Sequence, residues 1–322
     1  MDAIDKNLLF HLTGACRASF SQLADELKLS LEDVDTRISH LVKNHSVQKF
    51  TVVLNPLLLQ LKDALVFFRS LTPLDSKRLT LLGIHSAVEF ISIGTKHEGF
   101  AFARYSKESD LSDMLEHLHQ FHKGFDDLQL FLVEPLDSTI PKPTQDLVSL
   151  EKVDWLILAH LREQGRLPLQ ELSNRIDLEV HAIIERLDYL RHHNLIFETI
   201  NINPVVTQKE SLTLFKCEFT MLNYLILEEI MCEVSTIPSF WRLCSWRSVN
   251  EPLLFLGFYC SSYTEVEKIQ NQLSDLPGIK SIEKIMGGST YYFTDVRDEL
   301  IEEKRSHGWF SPEKWITEVK EG

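Results

Sequence analysis

Apolar residues near the N-terminus recur with the spacing of three short helices. Those in positions 8–12 lie on one face of a first helix, and those in positions 20–27 follow the i, i+3, i+4, i+7 pattern of a second. Ser30 can cap a third helix, whose apolar positions 34–41 again share one face. Because a brief turn at Leu29 joins the second helix to the third, the pattern predicts a helix-turn-helix.

The same pattern returns in the second half of the chain. At a constant offset of 149 residues, Asp5 falls on Asp154 and the apolar positions keep their class. The matched pairs include Arg17 with Arg166, Leu23 with Leu172, Arg37 with Arg186 and Leu41 with Leu190. Each copy continues into a β-prone run that ends in Asn-Pro, at positions 55–56 and 203–204. The chain is therefore predicted to contain an internal repeat, with a wing strand after each set of helices.

Each copy then shows strand and helix patterns in the order βαββαβ. In the first copy, strands are predicted at residues 64–68, 88–93, 100–104 and 128–133, and helices at 76–82 and 111–121. In the second copy, strands are predicted at residues 212–219, 241–245, 253–259 and 279–286, and helices at 224–234 and 263–273. The run 212–219 is too apolar to leave a sheet face in water, so the two modules are expected to pack together as a pseudo-twofold pair.

These features resemble the Lrp/AsnC, or feast/famine, family of transcription regulators. The motif that carries the likeness reads Asp, two residues, Leu-Leu, then Leu-Ala, then Val, two residues, Arg-Ile, and finally Leu-Asn-Pro, at positions 5–9, 23–24, 34–38 and 54–56. The turn at residues 276–279 (Leu-Pro-Gly-Ile) also resembles the family's turn at that place. The likeness covers about residues 3–134 and 152–293. It implies an α+β tandem of two winged helix-turn-helix modules and two ferredoxin-like βαββαβ modules.

The repeat and the resemblance together predict six segments. They are a winged helix-turn-helix at residues 1–56, a ferredoxin-like (RAM-type) α+β module at 57–134, a linker at 135–149, a second winged helix-turn-helix at 150–206, a second α+β module at 207–294 and a helical tail at 295–322. In the family two chains pair their α+β modules, so the resemblance implies an internal pseudo-dimer here, with a further homodimer left open. In the tail we expect a charged helix at 295–306 and an ordered helix at 309–319, docked on the chain itself or on a protein partner.

Composition is that of a globular protein. Hydrophobic residues make up 44% of the chain and charged residues 25%, which allows a buried core. No apolar run approaches the ~20 residues of a membrane helix, and the acidic N-terminus does not resemble a signal peptide. The five cysteines show no CxxC spacing, which favours reduced thiols. We therefore expect a cytoplasmic protein with no membrane partner.

The resemblance implies double-stranded DNA as a partner. The candidate DNA-binding residues are Arg17, Thr36, Arg37, His40 and Lys43 in the first copy and Arg166, Arg186, Tyr189 and His192 in the second. Arg17 and Arg166 precede the second helix of each module, which makes them the candidates for phosphate contacts. For Arg37 and Arg186 the alternative is an ion pair inside the module, with Asp5 or Asp154.

Charge works against DNA binding. The net charge is −14, and residues 1–56 carry seven acidic and six basic side chains while residues 150–206 carry nine and six. A strongly acidic protein repels phosphate unless a basic surface is segregated. The alternative function is an adaptor that contacts protein through acidic winged helices, since Glu32, Asp33 and Asp35 open the third helix of the first copy.

A small-molecule effector is a further partner implied by the resemblance. In the family a glycine-containing loop between the hairpin strands helps to form the pocket, and the first copy has Gly94, Thr95, Lys96 and Glu98 at that place. The equivalent loop of the second copy, residues 245–252, has no glycine. An effector site is therefore expected in the first copy.

Enzyme motifs of the GxSxG, P-loop, HExxH and dinucleotide-binding types are absent from the sequence. Siroheme decarboxylases share the two-part architecture and can be fused in tandem, but they would need a His- and Arg-rich pocket for porphyrin carboxylates. The two hairpin regions supply only His85, His97, Arg104, Arg242 and Arg247. The sequence therefore predicts a regulator that is not an enzyme, with no catalytic residues, no cofactor and no metal site.

Overall fold

The computed structural model describes residues 2–94, 97–120, 125–136, 142–144, 150–203, 210–221, 224–237, 240–307 and 309–310. In chain order the described helices and strands are α1 (Ala3–Leu12), α2 (Phe20–Leu27), α3 (Leu31–Lys43), β1 (Val47–Leu54), β2 (Lys62–Ser70), α4 (Ser76–Gly83), β3 (Val88–Ile93), β4 (Glu98–Tyr105), α5 (Glu108–Gln120), β5 (Phe125–Pro135), β6 (Leu150–Glu151), α6 (Lys152–Glu163), α7 (Leu169–Ile176), α8 (Val180–His192), β7 (Ile196–Ile202), β8 (Ser211–Phe219), α9 (Tyr224–Ser235), β9 (Phe240–Ser248), β10 (Leu253–Cys260), α10 (Tyr263–Ser274), β11 (Ile279–Gly287), β12 (Ser289–Tyr292), α11 (Val296–His307) and β13 (Trp309–Phe310). Every strand and helix predicted for the two βαββαβ modules is present, with ends within three residues of expectation.

The chain divides into two compact units, and each unit is built from both copies of the repeat. One unit, here called the helix-turn-helix unit, contains Met1–Leu61, Ile140–Asn203 and Val296–Gly322. The other, the α+β unit, contains Lys62–Thr139 and Pro204–Asp295. The two helix-turn-helix modules therefore lie in one unit and the two α+β modules in the other. The six segment boundaries drawn from the sequence stay predictions.

In the helix-turn-helix unit the two copies share their strands. β1 and β7 pair antiparallel, with Val47 opposite Ile202 and Leu54 opposite Ile196. The sequence predicted one wing for each copy, but each strand instead pairs with its counterpart from the other copy. α1 contacts β7 and α6 contacts β1, so each copy completes the core of the other.

The two Asn-Pro motifs end these paired strands. Asn55 is fully buried, and its backbone N–H donates to the carbonyl of Leu195 at 2.9 Å. Its side-chain amide donates to the carbonyl of Asn194 at 2.7 Å. In the opposite direction, the backbone N–H of Asn203 donates to the carbonyl of Ser46 at 2.8 Å. Each strand therefore ends in contact with the turn that follows the third helix of the other copy.

The C-terminal tail packs on the second copy. The charged helix expected at residues 295–306 is present as α11, which contacts α6 and buries Leu300 and Ile301. Trp309 and Phe310 form the short strand β13, which pairs with β6. The expected helix was therefore wrong at its first two residues, because their backbone groups bond to a neighbouring strand, and residues 311–319 lie outside the described part of the chain.

The α+β unit contains a nine-stranded sheet in the order β11-β8-β10-β9-β5-β2-β4-β3-β12. The first four strands belong to the second copy, and the next four repeat the same arrangement for the first copy. In each copy the first strand lies between the fourth and the third, which is the ferredoxin-like order expected of a βαββαβ module. The predicted fold class, an α+β tandem with a pseudo-twofold relation between its modules, is confirmed.

Each module extends its last strand onto the edge of the other module. Residues at the end of β5 pair with β9, where Val133 lies opposite Ser248. At the other edge β12, which directly follows β11, pairs with β3 and places Tyr292 opposite Phe90. Both edge strands, β3 and β9, are therefore covered by a strand from the other copy, which removes exposed backbone groups that invite aggregation.

Both faces of the sheet are buried, as the apolar run at 212–219 predicted. Phe215, Cys217 and Phe219 pack against α9 and α10, in the second copy's own core. Leu212 and Leu214, on the opposite side of the same strand, join a core that also contains side chains of the first copy. That shared core contains Leu65, Phe67, Phe100, Phe102, Val133, Leu212, Leu214, Trp246, Leu253, Phe255 and Ile285. Among the described helices, none has the length and apolar character needed to cross a membrane.

One equivalent position of β2 and β8 carries an aromatic ring in the first copy and a cation in the second. Phe67 on β2 and Lys216 on β8 occupy equivalent places under the offset of 149 residues. The ring of Phe67 lies 5.4 Å from that of Phe131, and the ammonium group of Lys216 lies 5.2 Å from the same Phe131 ring. The cation is further bonded to Gln129 at 3.1 Å and paired with Glu283.

Gly94, at the end of β3, is required by a close approach of two backbones. A Cβ built at this position would lie 1.8 Å from the carbonyl oxygen of Met286, and the N–H of Gly288 donates to the carbonyl of Ile93 at 2.7 Å. The glycine therefore allows β11 and β12 to cross onto the edge of the first module.

We expect Gly94→Ala to lower the free energy of unfolding by about 1–3 kcal/mol, because the added methyl group must displace backbone. Gly14→Ala is the matched control, since the nearest atom to its Cβ would be the His11 carbonyl oxygen at 3.8 Å. Urea denaturation of both variants measures the difference. Equal midpoints for the two variants would contradict the close approach.

Candidate nucleic-acid interface

The third helix of the first copy, α3, is the candidate for reading bases. Its N-cap is Ser30, whose hydroxyl accepts a hydrogen bond from the Asp33 N–H at 3.0 Å and donates to the Asp33 carboxylate at 2.7 Å. Val34, Ile38 and Leu41 are buried on the inner face, as their spacing predicted. The opposite face of α3 is therefore presented to solvent.

That outer face is acidic at its start and basic towards its end. The carboxylates at residues 32–35 are exposed in the first turns, where they interact favourably with the helix dipole. The predicted contacts Thr36, His40 and Lys43 are exposed along the rest of the helix. In the described part of the chain, no ion pair or side-chain hydrogen bond engages His40 or Lys43. The second half of α3 thus offers donors to an external acceptor.

On the third helix of the second copy, α8, the predicted contacts Tyr189 and His192 differ in exposure. Tyr189 is half-buried, with its ring 4.7 Å from the guanidinium carbon of Arg186 and 4.5 Å from the ring of His193. His192 is exposed in the last turn. Of the pair, only His192 is fully open to solvent.

Arg37 and Arg186 form the ion pairs that the sequence offered as their alternative. Arg37 lies 2.6 Å from Asp5 and 2.9 Å from Asp2. Arg186 donates two hydrogen bonds to Asp154, at 2.9 and 2.5 Å, and this carboxylate is fully buried. Both guanidinium groups hold the third helix against the start of the first helix, so a phosphate contact would have to compete with these pairs.

Arg17 reaches from the first copy into the second. Its guanidinium group donates to the carbonyl of Gly165 at 2.5 Å and to that of Leu167 at 3.2 Å. Burial lowers the pKa of Arg17 from its usual value. The cation is therefore held by backbone carbonyls at the start of α7.

Arg166 makes the reciprocal contact from the second copy into the first. It donates to the carbonyls of Cys16 and Ala18, each at 2.6 Å, and stacks between the rings of Phe20 and Phe50 at 5.0 Å. The thiol of Cys16 lies beneath this contact, and burial raises its pKa to about 12, so it is not a nucleophile at neutral pH. These two reciprocal contacts, here called the exchange of arginines, hold the two modules together. The phosphate contacts predicted for Arg17 and Arg166 stay predictions.

The candidate effector loop lies at the end of β3. The N–H of Gly94 donates to the carbonyl of Glu98 at 2.8 Å, and the Glu98 carboxylate pairs with Arg69 at 3.1 Å. Thr95 and Lys96 lie outside the described residues. The effector site stays a prediction, with one of its four residues already engaged in an ion pair.

The basic residues of the hairpin regions are paired with carboxylates. Arg104 lies 3.0 Å from Asp63 and also contacts Glu89, with little exposure of any of the three side chains. Arg247 pairs with Glu134 at 2.5 Å. These arginines are therefore neutralised within the protein.

The hairpin regions also contain two histidines, His85 and His97. The ring of His85 lies 5.7 Å from that of His117, and burial, followed by the nearby His117, lowers the pKa of His85. His97 takes a left-handed backbone conformation in the loop after β3, with φ of 63°. The side chain of Arg242 lies outside the described part.

Comparison with known proteins gives one family match and several structural matches. The model of the AsnC-type helix-turn-helix domain matches residues 1–42. Two solved structures of the siroheme decarboxylase NirDL match with a TM-score of 0.54 and 99% of their own length. One, bound to an iron-uroporphyrin III analogue, is 13% identical and covers 94% of this chain; the other is 14% identical and covers 99%. The leucine response regulatory protein LrpA of Mycobacterium tuberculosis covers 41% of this chain and 92% of its own, with 23% identity and a TM-score of 0.30. No curated protein sequence matches.

The chain thus shares its overall fold with the NirDL structures. The resemblance to the Lrp/AsnC family that the sequence motif indicated is confirmed for the first helix-turn-helix by the AsnC-type family model. The tandem arrangement agrees with the NirDL structures, which extend over the whole chain.

One expectation is corrected by these matches. The sequence lacks the enzyme motifs that were sought, and we expected a chain that is not an enzyme. The structures that match from end to end are those of a decarboxylase, which points to an enzyme instead. An active site on a given fold need not contain any of those motifs, so their absence from the sequence does not exclude catalysis.

We expect Arg17→Ala and Arg166→Ala each to lower the free energy of unfolding by about 1.5–3 kcal/mol, the usual worth of hydrogen bonds from a charged group. Arg175→Ala is the control, because Arg175 forms an exposed pair with Glu171 at 2.6 Å and should change stability by about 0.5 kcal/mol or less. Thermal unfolding measures all three variants. If Arg17→Ala melts like Arg175→Ala, the exchange of arginines does not hold the modules together.

The equivalent arginines of the two third helices should differ in their contribution to stability. Arg186→Ala leaves the fully buried Asp154 unpaired and should cost about 3–5 kcal/mol, whereas Arg37→Ala leaves the partly exposed Asp5 and should cost less. Urea denaturation compares them. Should Arg186→Ala fail to fold, the double variant Asp154→Leu/Arg186→Met should restore folding, and equal losses for the two single variants would contradict the prediction.

Proposed function

We propose that this chain is a regulator of Lrp/AsnC type that contacts double-stranded DNA through its helix-turn-helix unit. The observation that carries the proposal is the outer face of α3, where His40 and Lys43 are exposed without a partner in the described residues. Residues 31–42 of this helix lie in the segment matched by the AsnC-type helix-turn-helix model, and Lys43 directly follows that segment. Polar and basic side chains in that position are suited to phosphate and to base edges.

The arrangement of the unit supports this proposal. β1 and β7 pair across the copies, and Arg17 and Arg166 are exchanged between them, so the two helix-turn-helix modules are joined as an internal pseudo-dimer. Because the two modules are already fixed relative to each other, they lose no orientational freedom when they bind DNA. The entropic cost of binding is therefore lower than for two separate modules.

Affinity is limited by charge. The net charge of −14 repels phosphate at long range, and the carboxylates at residues 32–35 repel it close to the start of α3. Few cations are then available to displace counterions from DNA. Binding should therefore be weak and should depend on a small number of phosphate contacts.

We expect genomic DNA fragments to be retarded by the protein in gels at low ionic strength, and the retardation to disappear as salt is added. The slope of log K against log salt should correspond to few contacts, at about −0.9 for each neutralised phosphate. Fluorescence anisotropy on a retarded fragment measures this slope. If no fragment is bound at low salt, the DNA-binding proposal fails and the adaptor function, in which acidic winged helices contact protein, takes its place.

A second candidate function is a decarboxylase acting on an acidic tetrapyrrole. It is favoured by the NirDL structures, which cover nearly the whole chain. The described residues fit such a substrate poorly, because Arg104 and Arg247 are already paired with carboxylates and a polycarboxylate needs free cations. The core shared by the two βαββαβ modules is filled by aromatic side chains such as Phe67 and Phe255, whose rings lie 5.5 Å apart. We derive no catalytic step from these residues.

The two candidate functions are separated by titration of the protein with an iron-uroporphyrin. A saturable change in its absorbance, together with release of carbon dioxide from siroheme, would support the enzyme. An unchanged spectrum over the range where DNA is bound would support the regulator.

A further inference from the structure

The two third helices differ at the positions that face solvent. Under the offset of 149 residues the matched pairs are Thr36 with Glu185, Ser39 with Asp188, His40 with Tyr189 and Lys43 with His192. Two hydroxyl groups of α3 are thus replaced by carboxylates on α8, and both carboxylates are exposed. On α3 the carboxylates instead lie at the start of the helix, at Glu32, Asp33 and Asp35, whose counterparts on α8 are His181, Ala182 and Ile184.

The cations of α8 are also neutralised. Arg191 lies 3.0 Å from Asp188 and 2.6 Å from Glu198. Arg186, the other arginine of this helix, is held by the fully buried Asp154. Neither guanidinium group is available without breaking an ion pair, whereas Lys43 on α3 has no such partner in the residues described.

The chain's own linker covers the end of α8. The N–H of Thr144 donates to the carbonyl of His193 at 3.2 Å, and its hydroxyl lies 2.6 Å from Nδ1 of the same histidine. The side-chain amide of Asn194 donates to the carbonyl of Lys142 at 3.0 Å. At the equivalent end of α3, the Asn44 side chain instead accepts from the N–H of Ser46 in its own turn.

The first helices show the same difference. α6 is covered by α11, and Arg162 on α6 pairs with Asp298 on α11 at 2.9 Å. Ala159 on α6 is 7% exposed, while its counterpart Phe10 on α1 is 51% exposed. The second helix-turn-helix therefore carries the chain's own segments on surfaces that the first leaves open to solvent.

We propose that the first helix-turn-helix alone contacts DNA, and that the second serves as a scaffold that positions the first and anchors the linker and the tail. This inference rests on the proposed function and goes further, because it assigns the contact to one of two homologous modules. The second copy has then kept the fold of a DNA-reading module, while the arginines of its third helix are held in ion pairs and the end of that helix is covered by the linker.

The test uses variants at equivalent positions in the full chain. Lys43→Ala should weaken DNA binding several-fold and reduce the salt slope by about one phosphate contact, while His192→Ala should change neither. Thr36→Glu, which gives α3 the carboxylate found on α8, should abolish measurable binding, and Glu185→Thr should leave it unchanged. All four side chains are exposed, so melting temperatures should stay within about a degree or two of the parent and exclude loss of folding as the cause.

Two results would overturn the inference, and they can be told apart. If His192→Ala weakens binding as much as Lys43→Ala does, both modules contact DNA, so this inference is wrong while the proposed function stands. If the parent protein binds no DNA at low salt, the proposed function fails and the inference fails with it. Loss of binding in Lys43→Ala with full binding in His192→Ala is the expected result.

Discussion

Each βαββαβ sheet has two apolar faces, but its own helices can cover only one, and the rest of the structure depends on this constraint. Leu214 and Phe215 are neighbours on β8, point to opposite sides and are both fully buried. Burial of large side chains on the second face needs another sheet of the same kind. The repeat supplies this second sheet within one chain. The two helix-turn-helix modules are joined in the same way, because β1 of the first copy pairs with β7 of the second.

Local patterns predicted the elements well, because helix and strand periods are local properties of the sequence. The strands and helices of both βαββαβ modules were found within three residues of expectation. Partners distant in sequence were harder to foresee. The pairing of β12 with β3 joins residues that are about 200 positions apart in the sequence. The pairing of β1 with β7 was missed for the same reason.

The candidate site shows a similar division. The ion pairs of Arg37 and Arg186 could be inferred because each arginine recurs with an acid at a fixed spacing. Arg17 and Arg166 also recur, but their spacing does not tell whether a cation meets phosphate or a carbonyl of the other copy. The absence of motifs led to the wrong expectation that the chain is not an enzyme, since motifs describe only some of the chemistry that a fold can support.

The replacement of Phe67 by Lys216 in the second copy has a consequence for how such a chain can evolve. In a symmetric dimer each substitution appears twice, on both sides of the axis, so a lysine in the apolar interface would bring a second lysine with it. Joined in one polypeptide, the two halves are inherited together yet can mutate separately. A half-buried cation can then lie against the ring of Phe131, which also contacts the ring of Phe67. In a fused chain the surface of one half no longer has to fit an identical copy of itself. Each half can therefore change its own residues and take on a separate role.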